Sequence, residues 1–118
     1  MFEKDLRIGF LLDFYGDMLS ERKRTVLDRY YNDDLSLSEI AEEIGISRQG
    51  VRELIKKAEA ELLFYEEKLG LAARFRQAGE QAERLLALLR ESGADSRIMD
   101  AAEELAISVR GRGRGESQ

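Results

Sequence analysis

SLSEIAEEIGISRQGVRELIKK, residues 36–57, is the stretch that decides the fold of this chain. Ile40 and Ile44 lie one helical turn apart, and Gly45 follows where the chain has to turn, since glycine adopts positive φ without steric cost. Ser47 is a favourable N-cap for a second helix. Apolar residues in that helix follow i, i+3, i+4 and i+7 spacing, at Val51, Leu54, Ile55 and Ala58. The stretch therefore predicts a helix-turn-helix.

The second helix of a helix-turn-helix can lie in the major groove of DNA and offer its first turns to base edges. With the apolar set turned inward, the outward positions are Arg48, Gln49, Arg52, Glu53 and Lys56. Arg48 and Arg52 can pair with guanine and Gln49 with adenine, each contact being worth roughly 1–3 kcal/mol of discrimination. Lys56 and Lys57 lie farther along the helix and are better placed for phosphates.

Three serines complete the candidate nucleic-acid-binding set because they lie where the two motif helices begin. Ser36 and Ser38 can donate to phosphate, although N-capping explains one of them equally well, and Ser47 opens the second helix. Gly50 is unusual within a helix and costs about 0.5–1 kcal/mol relative to alanine. Close approach of the first motif helix or of a nucleic-acid backbone would explain it. Two alternatives stay open, an ordinary pair of packed helices and a helix-turn-helix that binds only protein.

The net charge of −5 is distributed unevenly along the chain. Residues 1–46 carry six basic and eleven acidic side chains, whereas residues 47–58 carry four basic side chains against one acidic. The start of the second motif helix is therefore a basic segment in a chain that is otherwise mostly acidic. This pattern favours a local contact with a polyanion and predicts weak, salt-dependent non-specific affinity.

Composition excludes several classes of protein. The chain has no cysteine and no histidine, which removes disulfides, thiolate nucleophiles and the commonest general base and metal ligand. Adjacent acidic residues on a helix diverge by about 100° and do not converge on one ion, so we expect no metal, no cofactor and no enzymatic activity. No apolar run approaches the ~20 residues that span a bilayer, and the start of the chain lacks a signal-peptide pattern. We therefore expect a cytoplasmic protein without membrane insertion.

The sequence predicts an all-α fold, a helical bundle of about six helices, because 118 residues contain no proline to interrupt a helix. The expected helices cover residues 2–19, 21–31, 37–43, 48–69, 71–91 and, from a cap at Asp95 or Ser96, about 96–109. The predicted domains are a helix-turn-helix domain with an N-terminal dimerisation helix (1–70), C-terminal helices packing on it (71–110), and a disordered Arg-Gly tail (111–118).

Surplus apolar residues favour a homodimer. Those of the first helix point in more than one direction, and a short coiled-coil-like seam follows at Ile55, Ala58, Leu62, Tyr65 and Leu69. A second basic cluster, Arg22, Lys23 and Arg24, indicates either a solvated face or a supporting phosphate contact. The Arg-Gly tail is either a solubilising segment or a sequence-independent contact with RNA or DNA.

Four segments together carry a resemblance to a known family: LLDFYG (11–16), YYNDDLSLSEIA (30–41), GISRQGV (45–51) and YEEKL (65–69). They resemble the YlxM family of bacterial DNA-binding proteins over roughly residues 6–71, and the motif itself is similar to the promoter-reading part of sigma factors. The chain departs from the family pattern at Gly50, where alanine is usual, and at Arg52-Glu53-Leu54, where Tyr-Asp-Asn is frequent.

The resemblance implies a helical homodimer and a DNA-binding regulatory protein. Because the family is known by gene neighbourhood with the signal recognition particle GTPase and its receptor, the resemblance also implies a regulatory role in that protein-targeting pathway. The alternative that it leaves open is an adaptor that does not bind DNA and instead contacts the particle's RNA or its GTPase.

Overall fold

The computed structural model describes residues 4–112, and over this range the chain forms six α-helices, one 3₁₀ turn and no strand. The all-α prediction is confirmed. The chain divides into two compact units, Met1–Leu69 and Gly70–Gln118, which we call the N-terminal and C-terminal units.

The N-terminal unit begins with α1 (Leu6–Tyr15), which Asp5 caps by accepting from the backbone N–H of Arg7 at 3.0 Å. A 3₁₀ turn (Gly16–Met18) follows, and Leu19 is extended. The prediction of one helix from 2 to 19 was therefore wrong at both ends of the described segment, since the helix begins at Leu6 and ends at Tyr15. The weak helix former Gly16 starts the tighter turn there, and Ser20 caps the next helix by accepting from Lys23 N–H.

The next two helices are α2 (Glu21–Tyr31) and α3 (Leu37–Ile44). Arg29 fixes them to each other, because its guanidinium donates to Glu43 on α3 at 2.9 Å and pairs with Asp33 at 3.2 Å. The bond to Glu43 raises the pKa of Arg29. The C-terminal end of α3, the first motif helix, is therefore held against α2 by this hydrogen bond.

The fourth helix, α4 (Arg48–Leu69), packs against all three preceding helices. Its buried side chains are Val51, Ile55, Ala58 and Leu62. The helices that α4 contacts contribute further buried apolar residues, among them Ile8, Leu11, Tyr15, Val26, Leu27 and Ile40. Three members of the predicted dimer seam are thus core residues of the N-terminal unit, while Leu69 is 48% exposed.

The C-terminal unit consists of α5 (Leu71–Ser92) and α6 (Ser96–Arg112). Gly70 and Gly93, both with positive φ, bound α5, and Asp95 caps α6 by accepting from Ile98 N–H at 3.1 Å. The two helices pack on Ala82, Leu86, Ala102 and Ala106. Helix α6 includes the first two residues of the predicted tail, and the remainder, 113–118, lies outside the described residues. None of the described helices combines the length and apolar character needed to cross a membrane.

Candidate nucleic-acid interface

The turn of the motif is built as the sequence predicts. Gly45 ends α3 with φ +79°, and the backbone N–H groups of Gly45 and Ile46 both donate to the carbonyl of Ala41, at 2.9 and 3.2 Å. Both donors thus serve one carbonyl group in the last turn of α3. Ser47 caps α4, since its Oγ accepts from the backbone N–H of Gly50 at 2.9 Å. The first turns of α4 are therefore held in a fixed orientation to α3.

The outward positions of α4 are not equally exposed. Arg48, Gln49 and Lys56 are exposed, as predicted, and so is Lys57. Arg52 is half-buried, and its charge acts on the phenol of Tyr30 in α2. The pKa of Tyr30 is raised by burial first, with the positive charges of Lys4 and Arg52 opposing that rise. Arg52 thus lies between the core and the outer face of α4.

The nearest neighbours of Gly50 are local. A β-carbon built at this position lies 3.3 Å from Cδ1 of Ile46 and 3.3 Å from Oγ of Ser47, both within the turn, and the backbone of α3 is not among its nearest contacts. The interpretation that α3 approaches Gly50 closely therefore finds no support. The approach of a nucleic-acid backbone stays a prediction.

The partners of the Lys and Arg side chains separate the N-terminal unit into two regions. Among the described cations before residue 36, all but Arg22 pair with a carboxylate: Lys4 with Asp34, Arg7 with Asp5, Lys23 with Glu61, Arg24 with Asp17 and Arg29 with Glu43. On α4, by contrast, Arg48, Lys56 and Lys57 have no carboxylate partner within the described part of the chain. Apart from Arg22, the unpaired cations among the described residues of this unit therefore lie on the second motif helix.

The three consecutive cations Arg22, Lys23 and Arg24 prove unlike one another. Lys23 reaches back to Glu61 on α4, and Arg24 pairs with Asp17 in the 3₁₀ turn at 2.6 Å. Arg22 is exposed and lines a small cavity with Glu21, Thr25 and Ile44, next to the end of α3. Of the three, Arg22 alone keeps its charge available for a phosphate.

The three candidate serines also differ. Ser36 forms a capping box with Glu39, in which its Oγ accepts from Glu39 N–H at 3.1 Å and its own N–H donates to the Glu39 carboxylate at 2.9 Å. Ser38 is exposed in the first turn of α3. Because a capping oxygen serves as acceptor, the hydroxyl protons of Ser36 and Ser47 remain available to a phosphate.

The C-terminal half of α4 is acidic, in contrast to its basic N-terminal half, and it contacts the other helices of the unit. Its carboxylates bind other helices of the same unit: Glu59 accepts from the Tyr31 phenol at 2.5 Å, Glu66 from the Tyr15 phenol at 2.6 Å, and Glu61 from Lys23. Burial, followed by the hydrogen bond to Glu59, raises the pKa of Tyr31 strongly. One half of α4 is thus anchored by its acidic residues, and the other half projects its basic residues.

Glu53 is exposed, as expected of an outward position, but it was not among the candidate nucleic-acid-binding residues. Its Oε2 accepts from Nε2 of Gln49 at 3.0 Å, so a carboxylate and an amide lie side by side among the candidate cations. The signal was present in the sequence as an i, i+4 pair of exposed polar residues.

These features define a helix-turn-helix protein with a basic outer face on its second helix. The chain belongs to the UPF0122 family, whose model, described as "Putative helix-turn-helix protein, YlxM / p13 like", matches residues 2–103. The resemblance to YlxM proteins is thereby confirmed.

Relatives in several bacteria support this assignment. The UPF0122 protein BH2485 of Halalkalibacterium halodurans is 42% identical over 105 residues, covering 89% of this chain and 96% of the relative. The UPF0122 protein Teth514_1714 of Thermoanaerobacter sp. is 40% identical over 107 residues, covering 88% and 92%. The UPF0122 protein BCAH187_A3894 of Bacillus cereus is 46% identical over 91 residues, covering 77% and 79%.

Proposed function

We propose that this protein is a cytoplasmic DNA-binding regulator that places the N-terminal half of α4 in the major groove. The observation that carries the proposal is the set Arg48, Lys56 and Lys57, exposed on the second helix of the motif and without carboxylate partners in the described residues. DNA phosphates would supply the missing anions. Membership of a helix-turn-helix family supports the same class, a binding protein rather than an enzyme.

Each side chain has a role that follows from its place on the helix. Arg48 and Gln49, exposed on the first turn, are assigned to base edges, with Arg52 beside them at the edge of the core. Lys56 and Lys57 are assigned to phosphates. The hydroxyl groups of Ser36, Ser38 and Ser47, where the motif helices begin, are assigned to the phosphates that flank the groove.

The test is selection from a random duplex DNA pool at physiological salt, followed by affinity measurement on the enriched sequence. Arg48→Ala combined with Arg52→Ala should reduce specific affinity at least tenfold, because each arginine–guanine pair is worth roughly 1–3 kcal/mol. Since Arg52 is half-buried, Arg48→Ala alone is measured as well, and circular dichroism verifies that both variants fold. Arg84→Ala with Arg90→Ala, two exposed positions on α5, is the control of equal charge. Unchanged affinity in both Arg48 variants would exclude this interface.

The pathway rests on the resemblance alone. We infer from it that the regulator acts in the signal recognition particle pathway, and signal recognition particle RNA is therefore tested beside the duplex pool. Binding of that RNA, or capture of the particle's GTPase that survives the double substitution, would favour the adaptor and count against a DNA-reading role.

We also infer that the protein acts as a homodimer, and the support comes from the C-terminal unit. Leu85 and Leu88 on α5 are 42% and 52% exposed, and Ile98 and Leu105 on α6 are 48% and 52% exposed. Each immediately precedes a residue of the α5–α6 seam or one packed against it. On two antiparallel helices the same offset falls on the same side. The four side chains therefore form one apolar face.

Light scattering at micromolar concentration tests the dimer directly. A homodimer has twice the chain mass of 13.5 kDa, and Leu88→Glu with Leu105→Glu should return it to the monomer if this face is the interface. A wild-type mass of one chain would contradict the dimer. A dimeric wild type that stays dimeric in the double variant would place the interface elsewhere. Enrichment of a two-fold-related DNA motif is the corresponding expectation for binding.

A further inference from the structure

A carboxylate on the DNA-reading face needs an explanation, because a groove lined by phosphates repels it. Glu53 is exposed on α4, one turn beyond Gln49, in the stretch that also presents Arg48 and Lys56. No Lys or Arg of the described residues forms an ion pair with it, and its one hydrogen bond there comes from the neutral amide of Gln49. Glu53 is therefore an exposed carboxylate without a paired cation among the described residues.

Base edges differ in whether they offer a carboxylate a hydrogen-bond donor. A carboxylate only accepts hydrogen bonds, and in the major groove cytosine offers the N4 amino group as a donor. Guanine presents two acceptors, N7 and O6, thymine presents the acceptor O4, and adenine presents the acceptor N7 beside its N6 amino donor. An unpaired carboxylate aimed at a G or T edge loses its hydration without gaining a donor. At adenine the amino donor lies beside N7, an acceptor that repels a carboxylate, so only cytosine offers a donor with no acceptor next to it.

The bond between the two side chains also fixes the orientation of Gln49. Because Glu53 can only accept, the amide nitrogen of Gln49 has to be the atom that faces it. One amide N–H is occupied, and the remaining N–H and the carbonyl oxygen stay available. That donor and acceptor match N7 and the N6 amino group of adenine.

We propose that Glu53 is a specificity-determining residue that selects cytosine at one position of the DNA target and orients Gln49 toward adenine at a nearby one. The proposal rests on the proposed function, and it names what the same face recognises. Glu53 excludes bases lacking a donor and contributes no general affinity, since its charge opposes binding to every phosphate.

The experiment uses full-length protein and the random duplex DNA pool, with wild type, Glu53→Gln, Glu53→Ala and a control. In Glu53→Gln the side chain keeps its shape, loses its charge and gains a donor, so the cytosine position should also admit guanine and thymine. In Glu53→Ala the preference of about tenfold expected for one base contact should disappear, and the adenine preference should weaken. Both variants should bind non-specific duplex more tightly than wild type. Glu42→Gln, an exposed site on α3 with the same change of charge, should keep both preferences.

The outcomes distinguish failure of the proposed role of Glu53 from failure of the proposed DNA-binding function. If wild type enriches a motif and Glu53→Ala enriches the same motif with unchanged preference at every position, Glu53 does not read DNA, while the DNA-binding function stands. If Glu42→Gln loses the cytosine preference as well, the effect is one of overall charge and the assignment to Glu53 is overturned. If wild type enriches no duplex, the proposed function fails and this inference fails with it.

Discussion

The phenol of Tyr15 on α1 donates a 2.6 Å hydrogen bond to Oε1 of Glu66 near the end of α4. Tyr15 is fully buried, and its ring also lies against that of Tyr65, with centroids 5.9 Å apart. This contact joins the first helix to the half of α4 that carries no candidate DNA contact. A long helix fixed at its far half can project its basic half into a groove without losing its orientation.

We expect Tyr15→Phe to lower the free energy of unfolding by about 1–3 kcal/mol, because a hydrogen bond to a charged group is lost while the ring remains. Urea unfolding followed by circular dichroism measures the change. Tyr65→Phe is the matched control, since Tyr65 is half-buried and no hydrogen bond of its hydroxyl is described, and it should change stability by less than about 0.5 kcal/mol. Equal effects of the two substitutions would show that the bond to Glu66 contributes nothing.

The capping box at the start of α3 makes a second prediction. Ser36→Ala should destabilise the protein by about 0.5–2 kcal/mol, because the N–H of Glu39 loses its acceptor. Ser38→Ala, two residues later at an exposed position, should be nearly neutral. Thermal unfolding compares the two variants. A larger cost for Ser38→Ala would mean that the helix does not begin where the structure places it.

The two glycines of the motif should respond in opposite directions to alanine. Gly45 has φ +79°, where a β-carbon is strained, so Gly45→Ala should cost about 1–2 kcal/mol. Gly50 has ordinary helical geometry, and replacing it with alanine gains about 0.5–1 kcal/mol of helix propensity. Contacts of 3.3 Å with Ile46 and Ser47 side chains offset part of that gain. Chemical denaturation should therefore find Gly50→Ala neutral to stabilising, and a strong loss there would reveal a closer neighbour.

Low pH should weaken the ion pair between Lys4 and Asp34, which lies in the loop after α2. The hydrogen bond and charge of Lys4 lower the pKa of Asp34, so the ion pair stabilises the fold above the usual aspartate pKa of about 4 and is lost as the pH falls through the lower folded value. Asp34→Asn removes the charge and tolerates the residue's φ of +62°. Melting temperatures of wild type and variant should differ near neutral pH and converge toward about pH 2. A constant difference across that range would exclude the ion pair as its cause.

Local signals explain how much of the fold was predictable. The motif helices, expected at 37–43 and 48–69, occur at Leu37–Ile44 and Arg48–Leu69. Each boundary is set by residues next to it in sequence: a capping serine, or a glycine that adopts positive φ. Such signals need no knowledge of the rest of the molecule.

The tertiary contacts of individual side chains could not be predicted from such local signals. The sequence alone does not distinguish Arg22, Lys23 and Arg24 from one another. Only the fold brings Glu61 of α4 to Lys23. The half-burial of Arg52 follows likewise from the position of α2. Helical periodicity gives the direction of a side chain to within one residue's rotation of about 100°, which is too coarse to separate the core edge from the outer face. The cations without a carboxylate partner could be identified only after the ion pairs were known.

The salt dependence of DNA binding should report two phosphate contacts of different geometry. Lys56 and Lys57 point about 100° apart around α4, and a major groove about 12 Å wide has phosphates along both walls. Each lysine can therefore reach a different wall, and each substitution to alanine should lower the slope of log K against log salt by about 1 without changing the preferred sequence. Lys68→Ala is the control, because Lys68 lies over the Phe64 ring, 5.6 Å from its centroid, near the opposite end of the helix. Titration of one duplex at several salt concentrations measures all four proteins. If only Lys56→Ala changes the slope, α4 contacts a single wall, and if neither lysine does, the basic half of α4 does not lie in the groove.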